Sequence, residues 1–206
     1  MAGLGCWKTL SKLFYERDPE LVAKDLLGKR LVRRLCKEIL EGLIVETEAY
    51  YGMEDPASRA YHGMKRYNAP MWGEVGLTFI YNVHNNWMFN VIAHRRGEVG
   101  AVLIRAVEPT RGLDAMKQNR KAKTVFELTN GPGKLTKAFK IDKKLNGLPV
   151  YSTESEVFIS DNETRFKVGS SHRIGVKRDL EKKLRFFIEG NRFVSKHPTR
   201  GSCRTL

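Results

Sequence analysis

Two glutamates, Glu46 and Glu48, lie one residue apart at the end of an apolar run, in the segment GLIVETEAYYG at residues 42–52. In a β-strand alternate side chains share a face, so both carboxylates would point the same way, with Cα atoms about 6–7 Å apart. The same alternation predicts Ile44 and Tyr50 on their face and the other set on the opposite face: Leu43, Val45, Thr47 and Ala49.

This pair of carboxylates allows three interpretations: a solvated sheet edge, a metal-binding pair, or a site in which one carboxylate handles a proton or a water molecule. Burying either carboxylate without a partner costs several kcal/mol or forces its protonation. Either functional interpretation therefore needs a cation nearby.

Arg105 could supply that cation, because it lies within the aliphatic segment GAVLIRAVEP at residues 100–109. A guanidinium cannot lose its charge, so in such a strand it needs a carboxylate, a phosphate or water. It could pair with the nearby Glu108 or lie at an exposed strand end, or it could point into a pocket. In the last case, Tyr50 and Tyr81 would complete a cleft whose aromatic rings can stack on a base.

The net charge of the chain points to a partner that carries phosphates. The 206 residues contain 37 Lys and Arg against 23 Asp and Glu, a net charge of +14. Such a surplus favours nucleic acid over an anionic membrane surface or an acidic protein. A hydrophobic fraction of 41% indicates a globular chain, and no apolar run approaches the roughly 20 residues of a membrane span.

The N-terminus and the cysteines favour an intracellular protein, and the basic charge favours a location with the nucleic acid. The N-terminal residues lack the apolar region and cleavage site of a secretory signal. Three cysteines, Cys6, Cys36 and Cys203, are far apart and are expected to be free thiols.

Local signals predict a single α+β domain over residues 1–206, with a core at about 14–195 and much antiparallel sheet. A helix is expected from the Asp18–Pro19 cap to just before Gly28. The remaining elements are strands at 30–36, 43–50 and 100–109, a turn at 37–42, a loop at 53–70, helices at about 111–120 and from Lys134, and short strands within 150–195. Two apolar segments around His84, Asn85 and Asn86 predict a hairpin with these residues at its tip.

Three motifs in order resemble one family. IVETEAYYGMEDPAS at 44–58, GAVLIRAVEP at 100–109 and NGPGKLTKAF at 130–139 closely resemble the alkyladenine (methylpurine) DNA glycosylases of base-excision repair. The resemblance implies one compact domain with a curved, mainly antiparallel sheet, flanking helices and a protruding hairpin that enters the minor groove. It implies an enzyme that flips a damaged purine out of duplex DNA and hydrolyses its N-glycosidic bond without a metal or other cofactor.

The resemblance also assigns roles residue by residue. Glu48 matches the glutamate that activates the water, and Arg105 the arginine near that water. Tyr50 matches the tyrosine that stacks on the flipped base, Tyr81 a second pocket tyrosine, and Asn90 the asparagine that screens the guanine amino group. Glu46, in the same motif, is expected to supply supporting hydrogen bonds.

Two departures from the family pattern affect the substrate and the wedge. Arg59 stands where the family usually has a histidine that sandwiches the base, and an added positive charge would disfavour cationic alkylpurines. We therefore expect the neutral bases hypoxanthine or ethenoadenine to be processed at least as well as the cationic lesions. The hairpin is one residue shorter than usual in the family. His84 therefore aligns with the wedge, the residue that fills the space left in the duplex by the flipped nucleotide. If the alignment gap is placed before His84, Val83 takes that position instead.

Two other classes of function compete with the glycosylase. A metal-dependent nuclease would use Glu46, Glu48 and Asp55 to hold Mg²⁺, and a nonenzymatic binding module would bind undamaged duplex and release no base. The resemblance favours the glycosylase, which we expect to act as a monomer because a one-domain enzyme must slide along duplex DNA.

Overall fold

An antiparallel sheet dominates the computed structural model, which describes residues 7–36 and 38–195. Its strands are β1 Arg30–Leu35, β2 Glu38–Tyr50, β3 Thr78–Val83, β4 Asn86–Ile92, β5 Ala101–Arg111, β6 Val157–Ser160, β7 Val168–Ser171 and β8 Arg185–Ile188. Six of them are ordered β3-β4-β5-β2-β1-β6, while β8 joins β2 and β7 joins β8. The sheet curls into a half-barrel, which confirms the predicted α+β class with a curved antiparallel sheet.

Strand β2 is the central element because three other strands pair with it. β5 pairs along one side, while β1 pairs with residues 38–43 and β8 with residues 46–48. The end of β2 that carries Glu46 and Glu48 therefore lies among strands that carry arginines, Arg105 on β5 and Arg185 on β8.

The predicted turn at 37–42 is wrong, because residues from Glu38 onward already pair with β1. Leu40 is buried in the core. Glycine at position 42 is explained by the close approach of β5 rather than by a turn, since a Cβ there would lie 2.9 Å from the carbonyl oxygen of Glu108. Strand β5 likewise continues past the expected end at Pro109, which pairs with Gly42.

The helices are short: α1 Lys12–Tyr15, α2 Pro19–Asp25, α3 Leu113–Asn119 and α4 Pro132–Ala138. Asp18 caps α2 by accepting a hydrogen bond from the backbone of Glu20 at 2.9 Å, as the sequence predicts. The last helix begins at Pro132 rather than Lys134, because proline suits the first turn of a helix.

Apolar side chains from the sheet and from α2, α3 and α4 form the core of one compact domain. Its largest fully buried aromatic residues are Tyr15, Phe79, Phe89, Phe139 and Phe186. A smaller cluster of Val45, Ala106 and Phe193 lies beside it. In the part of the chain described, no helix is long and apolar enough to cross a membrane.

Candidate active site

A β-bulge in β2 sets the direction of the two glutamates. The pairing of β2 with β5 shifts register on both sides of Glu46. Val45 packs against Phe193, while Glu46 accepts a hydrogen bond from Ser195, so consecutive side chains of β2 face one segment of chain. Ile44 lies in the main core. The predicted shared face of Ile44 and the glutamates is therefore wrong, because the bulge interrupts the alternation.

Glu48 is fully buried and accepts three hydrogen bonds. Its Oε2 accepts from the Tyr50 hydroxyl at 2.7 Å and from Nη1 of Arg105 at 3.0 Å, and its Oε1 accepts from the backbone N–H of Ile174 at 2.8 Å. A carboxylate oxygen has two lone pairs, so Oε1 keeps the capacity to accept one more hydrogen bond, from a water molecule for example.

Glu46 is also fully buried, and protein donors surround it. Its Oε1 accepts from Nε of Arg105 at 2.9 Å, from Nε of Arg185 at 2.7 Å and from Oγ of Ser195 at 2.6 Å. Its Oε2 accepts from the backbone of Ser195 at 2.7 Å. Burial by itself would raise the pKa of Glu46, but the two arginines and Ser195 outweigh it and hold the pKa below its ordinary value.

Arg105 joins the two carboxylates. Its Nε contacts Glu46 and its Nη1 contacts Glu48, and burial, which would lower its pKa, is outweighed by both glutamates, so the pKa is raised. The alternative ion pair with Glu108 does not form. That carboxylate accepts from Asn191 Nδ2 at 2.7 Å instead.

A small cavity next to Glu48 brings together the four residues predicted to form the base pocket. Its lining consists of Tyr50, Arg59, Met71, Phe79, Tyr81, Asn90 and Ala101. Its volume of about 10 Å³ holds roughly one water molecule and is too small for a purine. A base could enter only after a lining side chain had moved.

Arg59 and Asn90 determine the charge and the hydrogen-bonding capacity of the cavity wall. The guanidinium of Arg59 lies 4.8 Å from the ring centroid of Tyr81, within the range of a cation–π contact. The Nδ2 atom of Asn90 donates to the backbone oxygens of Phe79 at 3.0 Å and Met88 at 3.1 Å. Because both amide hydrogens are used, Asn90 can offer a ligand only its Oδ1 acceptor.

Tyr50 links the cavity to the glutamate. Burial and the neighbouring Glu48 carboxylate raise its pKa well above the ordinary value, so its hydroxyl remains a donor. The guanidinium of Arg173 lies 4.6 Å from the centroid of its ring. One face of the ring is therefore supported by the protein.

His84 lies at the exposed tip of the β3–β4 hairpin and does not line the cavity. The tip consists of His84 and Asn85, with φ angles of 47° and 59°, as in a two-residue hairpin turn. Asn86 already belongs to β4, so its prediction as a tip residue is wrong.

Sequence reasoning missed Arg173, whose side chain is fully buried. It donates to both oxygens of Asp55 at 2.6 and 2.7 Å, to Asp179 at 2.6 and 2.9 Å, and to the carbonyl oxygen of Ala49 at 2.9 Å. This network fixes the position of Arg173. The next residue, Ile174, donates its backbone N–H to Glu48. Asp55 is 118 positions away from Arg173, so no local pattern in the sequence signals the pair.

The surroundings of the carboxylates differ from those of a metal site. Glu46 and Glu48 contact arginines, and Asp55 is bound by Arg173. Within residues 7–36 and 38–195, no group of three or more His, Cys, Asp or Glu side chains is placed to hold a metal ion.

Comparison with known proteins identifies the family. The sequence model of the methylpurine-DNA glycosylases matches residues 13–192. A protein of Aeropyrum pernix is 39% identical over 192 residues, covering 92% of this chain and 94% of its own length, and one of Carboxydothermus hydrogenoformans is 39% identical over 194 residues, covering 91% and 98%. Both are named, provisionally, 3-methyladenine DNA glycosylases. The chain belongs to the methylpurine-DNA glycosylase family.

Proposed function

We propose that this protein is a monofunctional DNA glycosylase that flips a damaged purine out of duplex DNA, hydrolyses its N-glycosidic bond and leaves an abasic site. The observation that carries the proposal is the position of Glu48. It is buried next to an aromatic cavity, with Oε2 held by Tyr50 and Arg105 and with Oε1 still able to accept from a water.

In the proposed reaction, Glu48 acts as the general base. A water bound to Oε1 attacks C1′ of the flipped nucleotide as the bond from C1′ to the purine nitrogen breaks, and the bonding electron pair leaves with the base. Glu48 accepts the proton of the water, and its negative charge stabilises the oxocarbenium-like sugar in the transition state. The product is an abasic sugar with a hydroxyl at C1′.

Arg105 allows two glutamates to lie close together in a buried site. The guanidinium offsets part of the charge of Glu46 and Glu48, which lowers the electrostatic cost of holding both carboxylates next to each other. Glu46, which is held by Arg185 and Ser195 as well, serves to orient Arg105.

The base would stack on Tyr50, whose ring Arg173 supports. Entry requires Arg59 to leave its place over Tyr81 or to become the opposite wall of the stack, which a planar guanidinium can do. His84, at the exposed hairpin tip, is the proposed wedge that fills the gap in the duplex. We further propose that the protein acts as a monomer, in the compartment that holds the DNA.

Arg59 also supports a preference among damaged bases. A cationic alkylpurine would meet the charge of Arg59, whose guanidinium lies over the ring of Tyr81 in the pocket wall, whereas hypoxanthine and ethenoadenine are neutral. We expect neutral lesions to be removed at least as fast as 7-methylguanine. Exchanging Arg59→His should raise the single-turnover rate for 7-methylguanine relative to that for hypoxanthine. A strong preference of the wild type for 7-methylguanine would contradict this.

The test of the function is base release from duplexes that carry one hypoxanthine or one 7-methylguanine, in buffer containing EDTA. Abasic sites are scored by alkali cleavage, for the wild type and for Glu48→Gln. Release by the wild type alone supports a glycosylase that depends on Glu48. Strand nicking that requires Mg²⁺, with no base release, would favour the nuclease, and duplex binding with neither activity would favour a binding module.

A further inference from the structure

The loop between Arg59 and Met71 leaves the base pocket and returns to it, because both of these residues line the cavity. Buried Asn68 ties the loop together. Its Nδ2 donates to the carbonyl oxygens of Arg59 at 2.7 Å and Gly63 at 3.0 Å, and its Oδ1 accepts from the backbone N–H of Lys65 at 2.5 Å. The outer residues of this loop thus lie on a tied segment whose two ends line the pocket.

Three of those outer residues are large and apolar. Tyr61, Met64 and Tyr67 are 37%, 58% and 51% exposed. We call these three side chains the rim patch. Single exposed apolar side chains are normal, but three within seven positions on one tied loop indicate a contact surface.

The rim patch has the charge that a nucleic-acid partner requires. Lys65 and Arg66, which lie between Met64 and Tyr67, are both exposed. Side chains that enter the minor groove are typically apolar, with basic neighbours that contact the phosphates. The chain as a whole carries a net charge of +14, which favours duplex DNA over a second copy of this basic protein.

The rim patch lies on the loop whose two ends, Arg59 and Met71, line the pocket. The hairpin tip, three positions beyond Tyr81, carries polar His84 and Asn85. The backbone N–H of Asn85 donates to Oδ1 of Asn82, and Nδ2 of Asn86 donates to the carbonyl oxygen of His84. The tip by itself has little apolar surface with which to replace lost base stacking.

We propose that Tyr61, Met64 and Tyr67 form a second DNA-contacting element, which packs against the duplex at the vacated position and shares the wedge role with His84. Lys65 and Arg66 would hold the adjacent phosphates. The inference rests on the proposed function, since it takes duplex DNA as the substrate.

The test replaces all three residues of the rim patch by alanine and uses Leu13→Ala with Leu21→Ala as the matched control. Leu13 and Leu21 are 71% and 49% exposed and lie on α1 and α2. A 2-aminopurine placed next to the lesion reports unstacking by its fluorescence, and single-turnover base release is measured on the same duplex.

The rim-patch variant should lose most of the fluorescence rise and release base roughly tenfold or more slowly, because stacking on exposed bases is lost. The control should match the wild type, and the melting temperatures of all three proteins should agree because the replaced side chains are exposed. An unchanged fluorescence rise would overturn the inference, whether or not base release slows.

Two further outcomes distinguish a failure of this inference from a failure of the proposed function. A wild-type protein that binds and unstacks the duplex but releases no base would defeat the glycosylase proposal while the fluorescence still tests the rim patch. A wild-type dimer in sedimentation that the rim-patch variant abolishes, with duplex behaviour unchanged, would assign the patch to a second copy of the chain and overturn the inference.

Discussion

Glu46 and Glu48 are equally buried and share Arg105, yet their surroundings differ. Glu46 accepts four hydrogen bonds, from two arginines and from both the backbone and the side chain of Ser195. Glu48 accepts three, and one of its donors is Tyr50, a wall of the cavity. Burial alone therefore does not distinguish the proposed general base from the proposed supporting carboxylate. The identity of the donors and the neighbouring cavity do.

The largest expected effect is on catalysis by Glu48→Gln. The amide cannot accept the proton of the water, so we expect base release to fall by roughly 10²–10⁴-fold. Stability should change less than in Glu46→Gln, because Arg105 keeps its contact with Glu46. Single-turnover base release and urea unfolding measure the two quantities. Full activity of the variant would remove Glu48 from the mechanism.

For Glu46→Gln we expect the opposite of Glu48→Gln: a larger loss of stability and a smaller loss of base release. Arg105 and Arg185 would lose the carboxylate that pairs with both of them, and breaking a buried ion pair costs about 3–5 kcal/mol. The fraction that remains folded should release base faster than Glu48→Gln does. Urea unfolding combined with rates per folded molecule tests this. A stable but inactive Glu46→Gln would exchange the roles assigned to the two residues.

A smaller effect on base release is expected for Arg173→Lys, because Arg173 affects Glu48 only through the neighbouring N–H of Ile174. Lysine cannot reproduce the two-pronged contact with Asp55 while also binding Asp179. We expect a loss of about 1–3 kcal/mol in stability and roughly tenfold slower base release, because the N–H of Ile174 would no longer be held at Glu48.

Exposed Arg178 in the same segment provides the control for that variant. Arg178→Lys should leave the urea midpoint and the rate unchanged. If Arg173→Lys loses stability but keeps the full rate, then Arg173 supports only the fold.

The smallest effect is a pH dependence of the stability that the Glu46 ion pairs contribute. Its pKa is lower in the folded state than the ordinary value of 4.5, so the unfolded chain binds the proton first as the pH falls. The stabilisation is complete above about pH 5 and is lost as the pH drops through the folded pKa. The stability difference between the wild type and Glu46→Gln should therefore narrow below pH 4.5, as urea unfolding at several pH values would show. A gap independent of pH would contradict the ion-pair explanation.

Local patterns predicted the elements whose signals are local. The Asp18 cap, the hairpin around His84 and the apolar strand of Arg105 form about where expected, because capping, turn geometry and side-chain alternation act within a few residues. The start of β2 was misplaced, because strand pairing with β1 overrides the weak turn signal of Glu41-Gly42.

The sequence by itself determined the chemical inventory: a paired carboxylate, an arginine in an aliphatic strand, pocket tyrosines and a basic surface. Only the tertiary structure decided that Arg105 pairs with the glutamates rather than with Glu108, and that a bulge sets Val45 beside Glu46. It also brought Arg173 to Asp55 and Ile174 to Glu48, across 118 and 126 positions. The physical reason is that buried charges choose partners by proximity in the folded core, and that proximity has no signature in the spacing along the chain.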